Sequence, residues 1–254
     1  MQRRYNNPPI KEAVCEFRFQ SGESWDMAVP GLIYSELKND FPRRIPNIVQ
    51  GVGIRVTAGP GGQPQISTDV DEQFKQNISQ LQGLRFWREE TEDGLILVAP
   101  NKLSISHYPP YPSCNGFYPI IRQAFNAYCT TAQPKGLDRI GLRYINEIAF
   151  DVSTVELEDY FEYYPYLGSD LPQDFNSLQM SITIPFNAER DSLRLHISTV
   201  PGEGVVVRLD LDYSLTKSDA VSLDQALDWL QEARDNLEKV FEGCLKDSVR
   251  AMFG

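Results

Sequence analysis

The chain has 254 residues, of which 41% are hydrophobic and 23% are charged. This composition excludes a disordered chain, a collagen-like repeat and a small disulfide scaffold, and the length allows a buried core in one or two domains. Lys and Arg number 24 against 35 Asp and Glu, which gives a net charge of −11. Because this field repels a phosphate backbone, we expect no broad nucleic-acid binding.

The cysteines and the hydropathy of the chain predict its compartment. The four cysteines are scattered without a CxxC pair, which is typical of reduced thiols packed as small apolar groups. The first 30 residues hold no apolar run long enough for a signal peptide, and no later segment approaches about 18 consecutive apolar residues. We therefore expect a cytoplasmic protein without a membrane segment.

The first half predicts a strand, a helix, a meander of strands and a second helix. The opening strand, 13–20, alternates apolar and polar residues, and the helix at 28–40 is stopped by Pro42 and Pro46. Five strands are predicted next, at 48–57, 65–69, 84–89, 95–99 and 103–108. The second helix, 117–131, has one apolar face.

The second half repeats this order after a polar segment at 132–136, the best linker candidate. Its predicted elements are a strand at 137–150, a short helix at 155–161, strands at 178–186, 193–200 and 205–213, and a long helix at 223–241. We therefore predict an N-terminal α+β lobe, 1–133, and a C-terminal α+β lobe, 137–254, that ends in the long helix.

The recurring order predicts an α+β fold with antiparallel sheets, each covered by helices, and a pseudo-repeat of strand, helix, meander and helix. The two halves share little residue identity, and a single continuous sheet is the alternative. The order resembles the repeat unit of TATA-binding-protein-like and helix-grip folds, in which a long helix crosses an antiparallel sheet. This likeness concerns the fold and implies no function.

The last helix carries a broad apolar stripe. Leu230, Ala233 and Leu237 belong to it, and Ser222 with Gln225 forms a capping-box pattern before it. A stripe of this width favours packing on a sheet. The alternative is a dimer helix, which would make the protein a homodimer.

Few motifs in the sequence indicate catalysis. HExxH, P-loop, GxSxG and GxGxxG patterns are absent, and the only histidines are His107 and His196. We assign no catalytic residue, no cofactor and no metal. Asp210 and Asp212 point the same way and could hold a hard cation, but Arg208 on the same face argues against it.

The strands of the second half have one apolar face and one polar face. The polar face carries the candidate ligand-binding residues, which are Arg139, Arg143, Glu147, Arg194, His196 and Arg208. Their guanidinium groups could bind a carboxylate or phosphate. The alternative is a solvated face with cross-strand ion pairs.

Two further features adjoin this face. Glu16 and Arg18 occupy the corresponding face of the first half, and we expect the two polar faces to pair at a lobe interface. Asn146 interrupts the apolar face, and we expect it to be buried with its hydrogen bonds satisfied, in a structural role.

An aromatic cluster follows the first strand of the second half. It contains Phe161 and four tyrosines, and the tyrosines are the candidate partner-binding residues: Tyr160, Tyr163, Tyr164 and Tyr166. Aromatic rings with polar tips suit a partner-binding surface. The alternative is packing around the predicted short helix.

Several segments resemble a sporadically distributed family of uncharacterised prokaryotic proteins of about this length. They are the opening NPPIKEAVCEFRF, the Tyr-Pro segment before 117, the strand RIGLRYINEI and the closing residues 241–253. The segment at 112–117 lacks the tryptophan expected in the family. The resemblance implies no catalytic residues, and its patchy distribution implies an accessory protein of a mobile or defence-associated system.

Two functions follow from the sequence. The first is a non-catalytic binding or interaction protein, whose partner is another protein or a small anionic ligand. The second is a hydrolase acting on a small anionic substrate, with His196 as base and Arg143 and Arg194 as electrostatic stabilisers.

Overall fold

The structure is a computed structural model. It describes residues 3, 5–22, 25–26, 28–48, 55–58, 64–67, 81–88, 91–152, 154–172, 175–202 and 204–254. Parts of three predicted strands, at 49–54, 68–69 and 89, lie outside the described residues.

The described residues form eleven strands and four α-helices. The strands are β1 (Ile10–Phe19), β2 (Arg43–Ile48), β3 (Arg55–Ala58), β4 (Pro64–Ser67), β5 (Leu81–Trp87), β6 (Gly94–Ala99), β7 (Lys102–His107), β8 (Leu137–Phe150), β9 (Gln179–Phe186), β10 (Asp191–Val200) and β11 (Val205–Leu215). The helices are α1 (Ala28–Leu37), α2 (Ser113–Ala132), α3 (Ala226–Cys244) and α4 (Asp247–Arg250). Single 3₁₀ turns lie at Leu157–Asp159 and Ala251–Phe253.

Nine of these strands form one antiparallel sheet in the order β2-β5-β6-β7-β1-β8-β11-β10-β9, and β3 pairs with β4 separately. At its centre β1 pairs with β8, with Glu16 opposite Gly141 and Val14 opposite Arg143. The α+β class with antiparallel pairing is confirmed, and the sheet is continuous across both halves. The pseudo-repeat and the division into two lobes stay predictions.

The helices α1, α2 and α3 pack on one face of this sheet, where the core lies. Phe19 of β1 stacks on Tyr128 of α2, with 4.4 Å between the ring centroids. The rings of Tyr213 on β11 and Trp229 on α3 are 5.7 Å apart. The apolar stripe of α3 is buried against the sheet, which confirms sheet packing for this helix. We call the opposite face of the sheet the open face.

Two predicted elements were wrong in type or extent. The meander predicted to begin at 48 begins at Arg43, because β2 runs through Pro46 as the edge strand of the sheet. An edge strand tolerates a residue without an N–H on its outer side. The helix predicted at 155–161 is only the 3₁₀ turn. Its neighbours pair instead with the C-terminal segment, where Lys246 donates to Tyr160 O at 2.9 Å.

Among the helices that the described ranges contain, none combines the length and the apolar character that crossing a membrane requires.

Candidate functional site

The open face brings the six predicted ligand-binding residues onto three neighbouring strands. Arg139, Arg143 and Glu147 lie on β8, Arg208 on β11, and Arg194 and His196 on β10. The register places Arg208 opposite Glu147 and His196 opposite Asp210. The two-face division of these strands is therefore found as predicted.

Each arginine of this set contacts a carboxylate. Arg143 donates to Asp210 through Nε and Nη2 at 2.7 and 2.6 Å, and Arg208 donates to Glu147 at 3.1 and 2.6 Å. Arg194 reaches Asp212 at 3.4 Å. The hydrogen bonds to Asp210 raise the pKa of Arg143 above its usual value. These contacts form a cross-strand ion-pair ladder and occupy both aspartates that could have held a cation.

Glu16 joins the first half of the chain to this ladder. Its carboxylate accepts from Arg18 at 2.8 Å, lies 2.7 Å from Lys102 Nζ, and is 3.4 Å from Arg139. Burial raises the pKa of Glu16, but the hydrogen bonds and charges of Lys102 and Arg18 outweigh it, so the pKa lies below its usual value. The halves do pair through Glu16, but side by side within one sheet, not across a lobe interface.

A depression of about 300 Å³ lies at the centre of the open face. It is lined by Val14, Glu16, Arg18, Arg139, Gly141, Arg143 and Asp212. A Cβ on Gly141 would lie 2.7 Å from Arg139 Nη1, so the glycine lets this side chain fold over the strand. Arg194, His196 and Arg208 do not line the depression, so the predicted set does not converge on one cavity.

The four tyrosines predicted as a partner surface differ in their exposure to solvent. Tyr160, Tyr163 and Tyr164 pack against the core, and the Tyr160 ring lies 4.8 Å from that of Phe150. Tyr166 is 84% exposed. Of the four residues predicted as a partner surface, Tyr166 is therefore the one that presents its ring to solvent.

A second cavity, which the sequence did not predict, lies on the helix-covered side of the sheet. It measures about 370 Å³, and we call it the core-side cavity. Tyr144 and Asn146 of β8 form its floor. Its walls come from the start of α2, with Tyr111 and Cys114, and from α3, with Arg234, Leu237 and Phe241.

The N-terminal segment, residues 5–10, covers this cavity. Asn7 donates its N–H to Phe253 O at 2.9 Å, and the Tyr5 hydroxyl donates to Glu242 Oε1 at 2.8 Å. The rings of Tyr5 and Phe253 meet edge to face at 5.2 Å. Burial and the bond to Glu242 raise the pKa of Tyr5 to about 12, so the hydroxyl remains a donor at neutral pH.

The floor of the cavity is polar. The hydroxyls of Tyr111 and Tyr144 are 3.2 Å apart, and burial raises the pKa of both, so both keep their protons. Asn146 is 2% exposed and donates through Nδ2 to Leu209 O at 3.1 Å. Its burial is as expected, and its side-chain atoms are not among the buried polar atoms that lack a hydrogen-bond partner in the described ranges.

Two cations line the cavity, Arg3 and Arg234. The Arg234 Nη2 forms an ion pair with Glu238 Oε2 at 3.8 Å, beyond hydrogen-bond distance, and the Arg234 side chain is 26% exposed. Glu242, the other carboxylate of the lining, accepts from Tyr5 and from Arg250. The first turn of α2 has no side-chain cap and no acidic residue, so its backbone dipole adds positive potential.

The Cys and Glu side chains of the cavity lining are candidates for a nucleophile and for metal ligands. Burial raises the pKa of the Cys114 thiol above its usual value, so the thiolate that nucleophilic attack requires is disfavoured. In the part of the chain that the structure describes, no three His, Cys, Asp or Glu side chains are grouped to hold a metal ion.

No protein-family model and no curated protein matches this chain.

The core-side cavity was missed because five segments that are distant in the sequence build it. The one available signal was Asn146, the polar residue that interrupts the apolar face of β8 at the cavity floor. Sequence reasoning gave this residue a structural role, since alternation along one strand does not show where two covering helices leave a gap.

Proposed function

We propose that this protein is a non-catalytic binding protein that holds a small organic anion in the core-side cavity. The observation that carries the proposal is a volume of about 370 Å³ beside Arg234, whose guanidinium makes no hydrogen bond to the described residues. Ligand sites of proteins typically measure about 300 to 1,000 Å³ and combine an apolar lining with a few polar groups.

The lining supports an amphipathic ligand. Pro9, Ile10, Leu237 and Phe241 offer apolar contacts to its body. Arg234 and the first turn of α2 favour an anionic group, since a guanidinium binds a carboxylate through two parallel hydrogen bonds. The Tyr111 and Tyr144 hydroxyls add neutral hydrogen-bonding groups.

Binding without catalysis is supported by what surrounds this site. The Cys114 pKa disfavours a thiolate, and His196, the base of the alternative hydrolase, lines neither the core-side cavity nor the depression of the open face. The hydrolase therefore has no observation in its favour. The mobile or defence-associated setting stays a prediction from the sequence resemblance.

The proposal is tested with three probes that share a phenylpropyl body. Calorimetric titration compares 3-phenylpropanoate, 3-phenylpropanol and 3-phenylpropylamine, which are anionic, neutral and cationic at neutral pH. We expect the anion to bind most tightly, and Arg234→Gln to weaken it at least tenfold, which corresponds to the loss of about 1.4 kcal/mol. Arg194→Gln, the same substitution on the open face, leaves the affinity unchanged.

Two outcomes would overturn the proposal. One is that none of the three probes binds. The other is that the anion binds with equal affinity to the wild type and Arg234→Gln, since Arg234 is then not the anion partner. Thermal unfolding of both variants shows that they are folded.

A protein partner on the open face is the second candidate. The depression around Arg139 favours this candidate. The Arg139 guanidinium lies 3.4 Å from both Glu16 and Asp212, whereas Arg143 lies 2.6 Å from Asp210. Because the ion pairs of Arg139 are longer, its guanidinium is the more available to a partner. The double variant Arg139→Gln/Arg143→Gln, which removes two guanidinium groups that line the depression, is expected to stay folded and to lose a partner captured by the wild type. Intact capture of that partner by the double variant contradicts this candidate.

A further inference from the structure

The two edges of the nine-stranded sheet differ in how they are protected. The edge strand β2 carries Arg43 and Arg44 and has Pro46 in its middle. Charges and prolines of this kind prevent one sheet edge from pairing with another. The other edge strand, β9, belongs to a stretch, 175–188, without a charged side chain, and its only proline is Pro185 near its end.

The outer side of β9 presents backbone hydrogen-bonding groups in regular order. Thr199 of β10 donates its N–H to Leu178 O at 3.1 Å, next to the first residue of β9. Because the backbone groups of an antiparallel ladder alternate in direction, Gln179, Ser181 and Thr183 direct both N–H and C=O away from β10. Within the described ranges no strand pairs with this side of β9.

Exposed apolar side chains lie along the same part of the chain. Of the seven exposed large hydrophobic residues in the described ranges, four belong to this region, namely Tyr166 at 84%, Leu171 at 57%, Phe175 at 42% and Ile182 at 41%. All four fall between residue 166 and the middle of β9. An unprotected edge beside exposed apolar residues is typical of an interaction surface.

We propose that β9 pairs antiparallel with β9 of a second copy of this chain, which joins two sheets into one about a twofold axis. The net charge of −11 on each chain opposes the association of two copies. The stretch 175–188 has no charged side chain, so two copies can meet there without placing like charges opposite each other. An isologous contact also gives each strand a partner of identical length and pattern.

The best register follows from the outward backbone groups. Ser181 lies opposite the partner's Ser181, and Gln179 opposite the partner's Thr183, which gives about six inter-chain hydrogen bonds. In this register Pro185, which has no N–H, lies outside the paired segment. Ile182 then lies beside the partner's Met180 on the helix-covered side, where its exposed side chain becomes covered.

Cysteine cross-linking tests the register. Residues opposite each other in a hydrogen-bonded pair have Cα atoms about 5.5 Å apart, which a disulfide can span. Ser181→Cys is therefore expected to form a covalent dimer under mild oxidation. Thr183→Cys is the matched control, since it is also exposed but lies about 14 Å from its own copy in this register.

Molar mass measured by light scattering tests the dimer itself. We expect twice the 28.9 kDa chain mass for the wild type, and the monomer mass for Ser181→Lys, which places two ammonium groups opposite each other. Thr130→Lys on the exposed side of α2 adds the same charge and is expected to leave the dimer intact.

Three results would overturn this proposal. A wild-type protein that remains monomeric at its highest soluble concentration excludes self-pairing. The same result is expected if β9 pairs with a strand of another protein, so that outcome also overturns the proposal. Equal cross-linking of Ser181→Cys and Thr183→Cys excludes the register. A Ser181→Lys protein that is folded and still dimeric places the contact elsewhere.

Discussion

On the open face the Arg143 guanidinium lies 2.6 to 2.7 Å from the Asp210 carboxylate, whereas on the helix-covered side Arg234 lies 3.8 Å from Glu238. The open face holds the denser cluster of arginines, yet each of the four predicted there contacts a carboxylate. The core-side cavity holds fewer charges, and Arg234 there forms an ion pair with Glu238 but makes no hydrogen bond to the described residues. A group of arginines therefore indicates a ligand site only where carboxylates do not already occupy it.

The largest loss of stability is expected from a substitution of Glu16, whose carboxylate forms ion pairs with three cations of the open face. Glu16→Gln is expected to lower the free energy of unfolding by about 2 kcal/mol, because Arg18, Lys102 and Arg139 lose their common partner. Urea unfolding at pH 7 measures this change. The control Glu36→Gln, at an exposed position of α1, is expected to change it by less than about 0.5 kcal/mol.

The pH dependence of this difference has a definite sign. Since the pKa of Glu16 is lowered in the folded protein, its stabilisation is present above the unfolded value of about 4.3. This stabilisation is lost as the pH falls from about 4.3 through the lower pKa that Glu16 has in the folded protein. The gap between wild type and Glu16→Gln should therefore narrow under acid, and a gap that widens contradicts the ion-pair account.

Substitutions of Arg143 and Arg194 in the ladder are expected to lower the free energy of unfolding by less than Glu16→Gln does, and by different amounts. Arg143→Gln leaves Asp210, which is 5% exposed, without its two short hydrogen bonds, and is expected to cost about 1.5 kcal/mol. Arg194 is half exposed and its pairing is longer, so Arg194→Gln is expected to cost less than about 0.5 kcal/mol. Equal costs in urea unfolding would show that geometry does not set the strength of the ladder.

His107 provides a pH test on the helix-covered side. It is buried, its Nδ1 donates to Tyr108 O at 2.7 Å, and burial holds its pKa below the usual value. The unfolded chain therefore binds a proton at about pH 6.5 that the folded protein does not, so stability falls as the pH drops below that value. His107→Gln is expected to flatten this slope of unfolding free energy between pH 7 and 5. An unchanged slope assigns the acid sensitivity to other groups.

Only a small change in stability is expected for a substitution that fills the core-side cavity. Cys114→Leu adds apolar volume at the wall and is expected to alter the unfolding free energy by less than about 1 kcal/mol, in either direction. Its affinity for 3-phenylpropanoate should nevertheless fall at least tenfold. Cys129→Leu, on the same helix but outside the cavity lining, is the matched control for binding. Retained binding by Cys114→Leu places the ligand elsewhere.

Alternation along single strands predicted much of the fold. The strand β8 spans 137–150 as predicted, and the two faces of β10 and β11 divide as their periodicity indicates. The helix α3 begins and ends three residues later than predicted, and its buried residues include the predicted Leu230, Ala233 and Leu237 together with Trp229, which was not predicted. These features are local, since a strand's period fixes which side chains share a face.

Features that depend on strand neighbours were not predictable in this way. Nothing within β8 shows that β1 pairs with it, and this pairing decides that Glu16 meets Arg139. The core-side cavity depends on how the N-terminal segment, α2 and α3 meet above Tyr144 and Asn146. The short helix at 155–161 failed for a similar reason, because its backbone pairs with residues about 85 positions later.

An organic anion is expected to bind on the helix-covered side of the sheet. The most direct test measures intermolecular NOEs from the ring protons of 3-phenylpropanoate to methyl groups of the protein. We predict NOEs to Ile10 and Leu237, which line the core-side cavity. NOEs to Val14, which lines the depression of the open face, together with none to Ile10 and Leu237, would contradict it.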